Sequence, residues 1–466
     1  MISSLSLLQV RLSKLAILVG DLLAFVAAAG FASTLHNASQ DAQRLGAWFA
    51  LALLGIVLFL MRFEHYSDRR PFWDELGEIL RTILILALLD MTLVTVSNWQ
   101  SSQVWWMWAW PASLASIVFM RWLVKFILKK QGLWVRPTVI IGHGNNALDA
   151  QNALHSEPSL GFQVVGFVDV DCLEPRLKYE SQVKLDYIGL QLLAKRPGVQ
   201  WVIALEHSQS DQREEWLRKL ASWGAQDINV IPAMRGVPLY GTNISHFFSH
   251  EVALLRVHNN LRRWPARLSK RIFDTLVALV LIVLLSPLLL LLSLLLLGDG
   301  GKVIFSQKRV GKNGRSFNCL KFRTMALDAE DQLKLLLAQS PEHKLQWEKD
   351  QKLKDDPRVS ALGGFLRRTS LDELPQLFNV LQGQMSLVGP RPIVEAELQR
   401  YGSDASYYLM VRPGMTGLWQ VNGRNDLDYE SRVYLDTWYV KNWSLWYDLV
   451  ILIKTIRTVL SSKGAY

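Results

Sequence analysis

Long apolar stretches dominate the first quarter of the chain and one segment near residue 280. Four of them, residues 15–33, 45–61, 79–96 and 104–120, come close to the roughly 20 apolar residues that a transmembrane helix needs. A fifth, residues 276–297, is almost continuously apolar. Elsewhere the apolar runs are short and are separated by charged residues. The pattern predicts a membrane protein with large aqueous parts.

The middle of the chain, residues 135–260, has the pattern of an α/β domain. Apolar, β-branched runs recur at residues 138–141, 164–170, 199–205 and 228–231, and helical patterns such as residues 211–222 separate them. Strands that alternate with helices predict a small parallel sheet.

A loose Gly-x-Gly-x-x-Ala sequence, residues 142–147, follows the first of these strands. Such a turn can hold a phosphate at a helix N-terminus, and Asp169 and Asp171 stand where a ribose-binding acid would. His143 lies inside the loop, and Ala147 replaces the last glycine. A ligand site and a purely structural turn both remain open.

The charges that flank the apolar stretches indicate their orientation. Arg62, Arg69 and Arg70 lie between the second and third stretches, and basic residues also precede the first and follow the fourth. The loop between the third and fourth, residues 97–103, carries no charge. The positive-inside rule therefore places the N-terminus and everything after residue 130 in the cytoplasm. Asp21 and Asp90 lie inside the stretches, either as functional groups or as packed polar residues.

The fifth apolar stretch carries basic residues on both sides, which a simple crossing does not explain. Ser286 and Pro287 lie in its middle, and a proline there removes a helix hydrogen bond and bends the helix. A re-entrant helix over residues 272–297, which enters one leaflet and returns, accounts for both features. A straight span remains the alternative.

Charge and cysteine content narrow the class further. The net charge is +10, and much of the excess lies beside apolar segments. This arrangement favours contact with anionic lipid head groups over nucleic-acid binding, so no nucleic-acid partner is expected. The two cysteines, Cys172 and Cys319, have no metal-ligand spacing and imply no disulfide framework, in keeping with a reducing cytoplasm.

Acidic and basic residues between residues 301 and 424 suggest phosphoryl transfer. Asp372 and Glu373 are adjacent carboxylates that can hold Mg²⁺, and a carboxylate can also attack phosphorus itself. Basic side chains that grip phosphate oxygens would neutralise a diphosphate. The candidates for this role are Lys321, Arg323, Arg368 and Arg391. Alternatively, Ser370 and Glu373 form a capping box at a helix start and do nothing else.

An ordered series of motifs from residue 270 to the C-terminus resembles the bacterial sugar transferase family, the polyprenyl-phosphate hexose-1-phosphate transferases. The matching motifs are Lys270-Arg271-x-x-Asp274, Ser286-Pro287, Gln307-x-Arg309-Val310-Gly311, Lys321-Phe322-Arg323-Thr324-Met325, Asp356-Pro357-Arg358, Arg368-Thr369-Ser370-Leu371-Asp372-Glu373-Leu374-Pro375-Gln376, Asn379-Val380-Leu381, Met385-Ser386-Leu387-Val388-Gly389-Pro390-Arg391-Pro392 and Arg412-Pro413-Gly414-Met415-Thr416-Gly417.

This resemblance implies a reaction and roles for particular residues. A member of the family moves a sugar-1-phosphate from a UDP-sugar to undecaprenyl phosphate and releases UMP, with Mg²⁺ as cofactor. Carried over, Asp372 is the nucleophile that forms a covalent phospho-sugar intermediate, and Glu373 assists it or shares the metal. Arg368 and Arg391 become candidates for phosphate contacts, and the re-entrant helix breaks at Ser286-Pro287.

The likeness also extends over the N-terminal part and is greatest to large members that transfer galactose-1-phosphate at the start of O-antigen and exopolysaccharide synthesis. Residues 71–76, 235–240 and 248–252 carry this part of the resemblance. The same reaction with glucose-1-phosphate is the alternative, because glucose-transferring relatives share the catalytic motifs. From a different class, a flippase or transporter of the lipid-linked sugar has the four apolar stretches in its favour. A membrane-bound NAD(P)-dependent oxidoreductase would need an intact glycine fingerprint.

The sequence therefore predicts a multi-pass protein of the bacterial inner membrane, in three parts, with its catalytic domain in the cytoplasm. Residues 1–130 form a four-helix transmembrane bundle, and residues 131–262 form a Rossmann-like cytoplasmic α/β domain. Residues 263–466 form a monotopic catalytic core with the re-entrant helix. Because the middle domain has no evident catalytic task, it could supply the interface of a homodimer.

Overall fold

The computed structural model describes residues 7–34, 42–66, 68–97, 103–170, 177–179, 182–234, 237, 243–246, 253–256, 261, 263–298, 301–326, 328–339, 356–423 and 427–460. The chain forms two compact units, residues 1–235 and residues 236–466. Asp171 and most of the motifs at residues 235–240 and 248–252 lie outside the described residues. The fold is mostly helical, with one partly parallel sheet.

Four long helices begin the first unit and coincide with the four predicted apolar stretches. They are α1 (Leu7–Thr34), α2 (Ala42–Met61), α3 (Phe72–Val96) and α4 (Gln103–Lys130). By length and composition, α1, α3 and α4 are able to cross a membrane. The apolar part of α2, Leu45–Met61, is shorter, at about 26 Å against a hydrocarbon core of about 30 Å. Trp48 and Phe59 are fully buried between the helices, whereas many apolar side chains face outward, as lipid contact requires.

A buried ionic cluster joins three of these helices. Arg121 of α4 donates to the two carboxylate oxygens of Asp21 on α1 at 2.9 and 2.7 Å, and to Glu75 of α3 at 2.8 Å. Lys125 binds the other oxygen of Glu75 at 2.5 Å, and the Tyr66 hydroxyl donates to Asp21 at 2.7 Å. Buried charges persist when they are paired and hydrogen-bonded in this way. Asp21 is therefore a packed polar residue of the bundle.

The α/β part of the first unit follows. Its helices are α5 (Asn145–Ser156), α6 (Tyr187–Ala194) and α7 (Ser210–Trp223), and its strands are β1 (Arg136–Ile141), β2 (Phe162–Val168), β3 (Leu177–Tyr179), β4 (Gln182–Leu185), β5 (Gln200–Ile203) and β6 (Asp227–Val230). The strand order is β4-β3-β2-β1-β5-β6, and all pairs among β2, β1, β5 and β6 are parallel. The predicted small parallel sheet is confirmed at the four predicted positions. Strands β3 and β4, which add an antiparallel edge, have no clear signal in the sequence.

The second unit is built from short elements around one long helix. The elements are β7 (Asn243–His246), β8 (Ala253–Arg256), α8 (Trp264–Leu297), β9 (Ile304–Val310), β10 (Ser316–Phe322), α9 (Ala329–Gln339), α10 (Ala361–Arg368), α11 (Gln376–Leu381), β11 (Ser386–Val388), α12 (Glu395–Leu398), α13 (Ala405–Met410), β12 (Gly414–Thr416), α14 (Leu418–Val421), α15 (Tyr429–Lys441) and α16 (Leu445–Leu460).

Helix α8 is also long and apolar enough to cross a membrane, and it includes both Ser286 and Pro287. Near its start, Arg271 donates to the main-chain oxygens of Val380 and Leu381 at 2.6 and 2.8 Å. Near its end, the main-chain oxygen of Leu296 accepts from Arg323 at 3.1 Å. Both ends of α8 are therefore bonded to other elements of the same unit. Between them, the outward side chains are more than half exposed: Val280, Val283, Leu284, Leu290 and Leu291.

Candidate active site

Asp372 and Glu373 lie on a single 3-10 turn, Leu371–Glu373, between α10 and α11. Ser370 precedes this turn with a φ of 56°, a left-handed conformation that a residue with a side chain adopts at some cost. The Ser370 side chain makes no capping hydrogen bond, so the capping box is not formed there. Asp372 is 8% exposed and is therefore nearly buried. Strained backbone beside a nearly buried carboxylate is typical of a catalytic position.

Lys321, the second-last residue of β10, faces this acidic pair. Its ammonium lies 2.7 Å from the Oε1 atom of Glu373 and 3.8 Å from the Oδ2 atom of Asp372. Burial raises the pKa of the Asp372 carboxyl above its usual value, and Glu373 adds to the increase, while Lys321 and Arg367 oppose it. The carboxylate form of Asp372, which is the nucleophilic form, thus depends on the cations beside it.

The turn is held in place by close contact between α10 and the residues that follow β10. Arg367 donates from Nε to the Oγ1 atom of Thr324 at 2.9 Å. A Cβ atom at Gly363 would lie 2.0 Å from the main-chain oxygen of Thr324, so only glycine permits this approach. Leu366 of α10 is fully buried against Phe322 and the end of α8. These contacts fix where the acidic turn begins.

Two predicted phosphate ligands lie outside this immediate contact. Arg323 donates to the main-chain oxygen of Leu296, so part of its guanidinium is bonded to the end of α8. Arg368, the last residue of α10, is exposed. Among the described residues, neither side chain hydrogen-bonds Asp372, and their proposed roles stay predictions.

Arg391 lies in the same region as the acidic pair. Burial raises the pKa of the Cys319 thiol on β10, and the charges of Lys321, Glu373, Arg309 and Arg391 also act on it. Arg309, which bonds the main-chain oxygen of Pro392 next to Arg391, lies on β9, and β9 pairs with β10, the strand that carries Lys321. The structure therefore brings three of the six predicted site residues into contact, Asp372, Glu373 and Lys321, and connects Arg391 to them through the β9–β10 pair.

The Gly-Pro-Arg-Pro segment begins where two glycines, Gly389 and Gly414, pack in close contact. Strands β11 and β12 pair in parallel, with Ser386 opposite Gly414 and Val388 opposite Thr416. A Cβ atom at Gly414 would lie 2.1 Å from the amide nitrogen of Gly389. This pairing places the two motifs that begin at residues 389 and 412 side by side, an arrangement that their separation in sequence does not reveal.

Some residues that support the site are missed by sequence reasoning. Asp436 on α15 is 2% exposed, and its Oδ2 atom accepts from the Tyr401 hydroxyl at 2.9 Å. Burial raises the pKa of Asp436 to about 8. Asp448 on α16 is fully buried and accepts from Lys270 and from the Tyr439 hydroxyl, each at 2.7 Å. A lone aspartate inside an amphipathic helix was the only available signal, and it does not distinguish a buried position from an exposed one.

The Lys-Arg-x-x-Asp motif at the start of α8 anchors the helix. Lys270 binds Asp448 and also the main-chain oxygen of Val388, the latter at 3.1 Å. Asp274 accepts from the Ser386 hydroxyl at 2.8 Å, on the strand that precedes the Gly-Pro-Arg-Pro segment. With the Arg271 contacts, these bonds tie α8 to α11, β11 and α16. The motif is thus a structural link between the membrane-length helix and the site.

The acidic pair has the oxygen donors that a magnesium ion prefers. Among the described residues, no group of three or more His, Cys, Asp or Glu side chains is arranged to hold a metal ion. Magnesium is commonly held by one or two carboxylates together with substrate phosphates, and Asp372 and Glu373 suit that mode. The residues present therefore fit an ion that is bound jointly with substrate, and they do not form a metal cage of their own.

The glycine-rich turn of the α/β part is closed by an internal acid. The Oε1 atom of Glu206, which follows β5, accepts from the main-chain N–H of Asn146 in the first turn of α5 at 2.8 Å. A Cβ atom at Gly144 would lie 2.9 Å from the same oxygen. Glu206 thus occupies the position where a phosphate would bind at a helix N-terminus, at the point where the strand order reverses. A nicotinamide dinucleotide does not fit this turn as it stands, and the structural interpretation of the turn is favoured.

Comparisons with known proteins show which family the chain is similar to. Residues 265–462 match the family model described as "Bacterial sugar transferase". The chain is 47% identical to a UDP-galactose-lipid carrier transferase of Erwinia amylovora, over 89% of this chain and 87% of that protein. It is also 47% identical to an undecaprenyl-phosphate galactose phosphotransferase of Salmonella typhimurium, over 90% of this chain and 88% of that protein. The chain is 32% identical to an undecaprenyl-phosphate glucose phosphotransferase of Komagataeibacter xylinus, over 77% of this chain and 68% of that protein.

Proposed function

This chain belongs to the bacterial sugar transferase family, and we propose that it transfers galactose-1-phosphate from UDP-galactose to undecaprenyl phosphate. It is an enzyme of the polyprenyl-phosphate sugar phosphotransferase kind. The observation that carries the finer proposal is the acidic pair beside Lys321, in a chain 47% identical to galactose-transferring relatives. The products are undecaprenyl-diphosphate-galactose and UMP, at the first membrane step of O-antigen or exopolysaccharide synthesis.

The reaction proceeds in two displacements at phosphorus. A carboxylate oxygen of Asp372 attacks the phosphorus nearer the sugar, the bond from that phosphorus to the bridging oxygen breaks, and UMP leaves with the electron pair. An oxygen of undecaprenyl phosphate then attacks the same phosphorus, and the Asp372 carboxylate is released. The burial of Asp372, which removes competing water, and the cations around it support this role.

The remaining charges position and neutralise the substrate phosphates. Asp372 and Glu373 would hold a magnesium ion, which supplies positive charge to the diphosphate when it is bound. Lys321 holds Glu373 and favours the ionised form of Asp372. Arg391, three residues after the end of β11, is the candidate for a bidentate phosphate contact, because its planar guanidinium matches phosphate geometry.

Helix α8 is proposed to be re-entrant. A straight crossing would put its two ends on opposite sides of about 30 Å of hydrocarbon, whereas Arg271 and Leu296 both bond to the soluble elements of one unit. The bend is assigned to Ser286-Pro287, where the proline supplies no helix N–H and the Ser286 hydroxyl bonds the Val283 carbonyl. Cysteine introduced at Arg263 or at Lys302 should then be labelled from the cytoplasmic side only. Labelling of the two positions from opposite sides would require a straight span.

The other parts of the chain fit a multi-pass protein of the bacterial inner membrane. The apolar helices and the charges around them favour a cytoplasmic N-terminus and a cytoplasmic catalytic unit. The α/β part is proposed to be a Rossmann-like domain without a nucleotide, because Glu206 fills its phosphate position. A homodimer through this domain is a further proposal that cross-linking in the membrane would test.

Galactose is preferred over glucose on the relatives alone. The galactose-named relatives are 47% identical over most of the chain, against 32% for the glucose-named one. No described side chain is positioned in a way that distinguishes the two sugars, since they differ only in the orientation of one hydroxyl group. The donor is therefore a matter for direct assay.

The test is release of UMP from UDP-galactose and from UDP-glucose by the purified chain, with undecaprenyl phosphate and Mg²⁺. We expect lipid-dependent release, faster with UDP-galactose, and its loss in Asp372→Asn. Asp331→Asn, the same change at an exposed residue of α9, is the control and should retain full activity. Lipid-dependent release by Asp372→Asn at the wild-type rate would exclude the covalent mechanism. A faster reaction with UDP-glucose would assign glucose, and not galactose, as the sugar that is transferred.

A further inference from the structure

A second arginine, outside the motifs considered so far, shares a tryptophan with Arg391. The guanidinium carbon of Arg391 lies 5.8 Å from the centre of the Trp419 ring. The guanidinium carbon of Arg432, on α15, lies 4.9 Å from the same ring. Trp419 belongs to α14, is 3% exposed and cannot move away. Both distances are within the range in which a cation is attracted to an aromatic face.

A third arginine, Arg309, lies near Arg391. Arg309 on β9 donates to the main-chain oxygen of Pro392, the residue after Arg391, at 3.2 Å. Its pKa is lowered by burial and further by the nearby charge of Arg391. The carboxylates near these arginines are Glu397, 3.7 Å from Arg309, the buried Asp436, and the exposed Asp428, whose pKa the charge of Arg432 helps to lower. Three cations held this close repel one another, and a polyanion between them would remove that repulsion.

We propose that Trp419 holds Arg391 and Arg432 as a paired clamp for the diphosphate of the nucleotide-sugar donor, with Arg432 a substrate-binding residue. The inference rests on the proposed transferase function and goes beyond it by naming a binding residue and its platform. Arg309, which bonds the residue after Arg391, lies on β9, and β9 pairs with β10, the strand whose Lys321 faces Asp372 and Glu373. The clamp and the acidic pair are therefore connected through one pair of strands. The acceptor has one phosphate, whereas two arginines match the two phosphates of the donor.

The position of Arg432 favours a binding role over a purely structural one. The Nε atom of Arg432 donates to the main-chain oxygen of Leu427, which fixes the base of the guanidinium. The side chain is half-buried, and the aromatic ring beneath it limits its rotation. An arginine that is fixed before substrate arrives loses little conformational freedom on binding. Trp419 is thus a positioning residue, and Arg432 contacts substrate.

The experiment measures KM for UDP-galactose and for undecaprenyl phosphate separately, in wild type, Arg432→Gln, Trp419→Phe, Trp419→Leu and the double variant Arg432→Gln/Trp419→Leu. We expect Arg432→Gln to raise KM for the donor about tenfold, with kcat within about threefold and KM for the lipid unchanged. Trp419→Leu should give the same pattern, and Trp419→Phe, which keeps an aromatic face, should remain near wild type. In the double variant, the two effects should fall well short of multiplying, because both act through one contact.

Arg400→Gln is the matched control. Arg400 lies 3.6 Å from the centre of the Tyr429 ring, a similar arginine–aromatic pair in the same unit but outside the clamp, so its KM values should not change. An unchanged donor KM in Arg432→Gln, or a change confined to the lipid KM, would overturn the clamp. If Trp419→Leu does not fold, Arg432→Gln and Trp419→Phe still decide the question. Failure of the wild type to release UMP would instead defeat the proposed function.

Discussion

Replacement of Lys321 by methionine tests how the acidic pair is kept ionised. The ammonium of Lys321 lies 3.8 Å from Asp372 and 2.7 Å from Glu373, and it opposes the rise in the pKa of Asp372 that burial causes. Without that cation the carboxylate form loses stabilisation, so the pKa of Asp372 rises further. Since the ionised form is the nucleophile, activity should fall most at acidic pH.

The size of the effect follows from the distance. Two unit charges 3.8 Å apart interact by about 4 kcal/mol at an effective dielectric constant of about 20, and by about 1 kcal/mol in water. One pKa unit corresponds to about 1.4 kcal/mol. Lys321 divides its charge between two carboxylates and is 28% exposed, which places the effect toward the lower end. The acidic limb of the rate profile should therefore move up by about one pH unit.

The assay is the pH dependence of kcat/KM for UMP release between pH 5.5 and 9, at saturating Mg²⁺. We expect the loss in Lys321→Met to be largest at the acidic end and to shrink as pH rises. Lys308→Met, at an exposed lysine of the neighbouring strand, should follow the wild-type profile. A loss of equal size at every pH would refute the electrostatic reasoning and would assign Lys321 to phosphate binding instead.

Three further predictions concern stability. Gly414→Ala should destabilise the second unit by about 3 kcal/mol or more, because the added Cβ would lie 2.1 Å from a main-chain nitrogen of Gly389; a wild-type melting temperature would contradict this. Asp436→Asn tests a pH effect. The folded carboxyl has a pKa of about 8, above its unfolded value, so the wild type loses stability as pH rises from about 4 to about 8. As pH rises from 5.5 to 8.5, the melting temperature of Asp436→Asn should therefore increase relative to that of the wild type. A constant difference between the two melting temperatures over this range would refute the prediction. Arg121→Met should cost about 3–5 kcal/mol, seen as a lower yield of folded protein, because two buried carboxylates lose their partner.

Much of the architecture is predictable from local pattern. Long apolar stretches give the helices of the first unit and α8, because any segment that faces lipid must be apolar and must satisfy its own backbone. The four parallel strands appear at the predicted positions, because strands buried on both faces form continuous apolar runs. Adjacent carboxylates and the ordered motifs around them already indicate phosphoryl transfer.

Other features depend on contacts that no local pattern contains. The sequence leaves open whether Ser370 and Glu373 form a capping box, and the left-handed backbone at Ser370 decides against it. It also leaves open whether the glycine-rich turn binds phosphate, and Glu206, 60 residues away from Asn146, decides that. In each case the deciding group is remote along the chain or depends on a backbone angle.

What the sequence by itself determined about this protein is therefore the set of elements and the kinds of residue available for chemistry. Periodicity and composition report whether a segment is buried in lipid, buried in protein or exposed, and those are local properties. Only the tertiary structure decided which charges meet: Lys321 with Glu373, and Arg391 with Arg432 across Trp419. The physical reason is that charge pairing acts over a few ångströms in space, and chain folding alone determines which residues come that close.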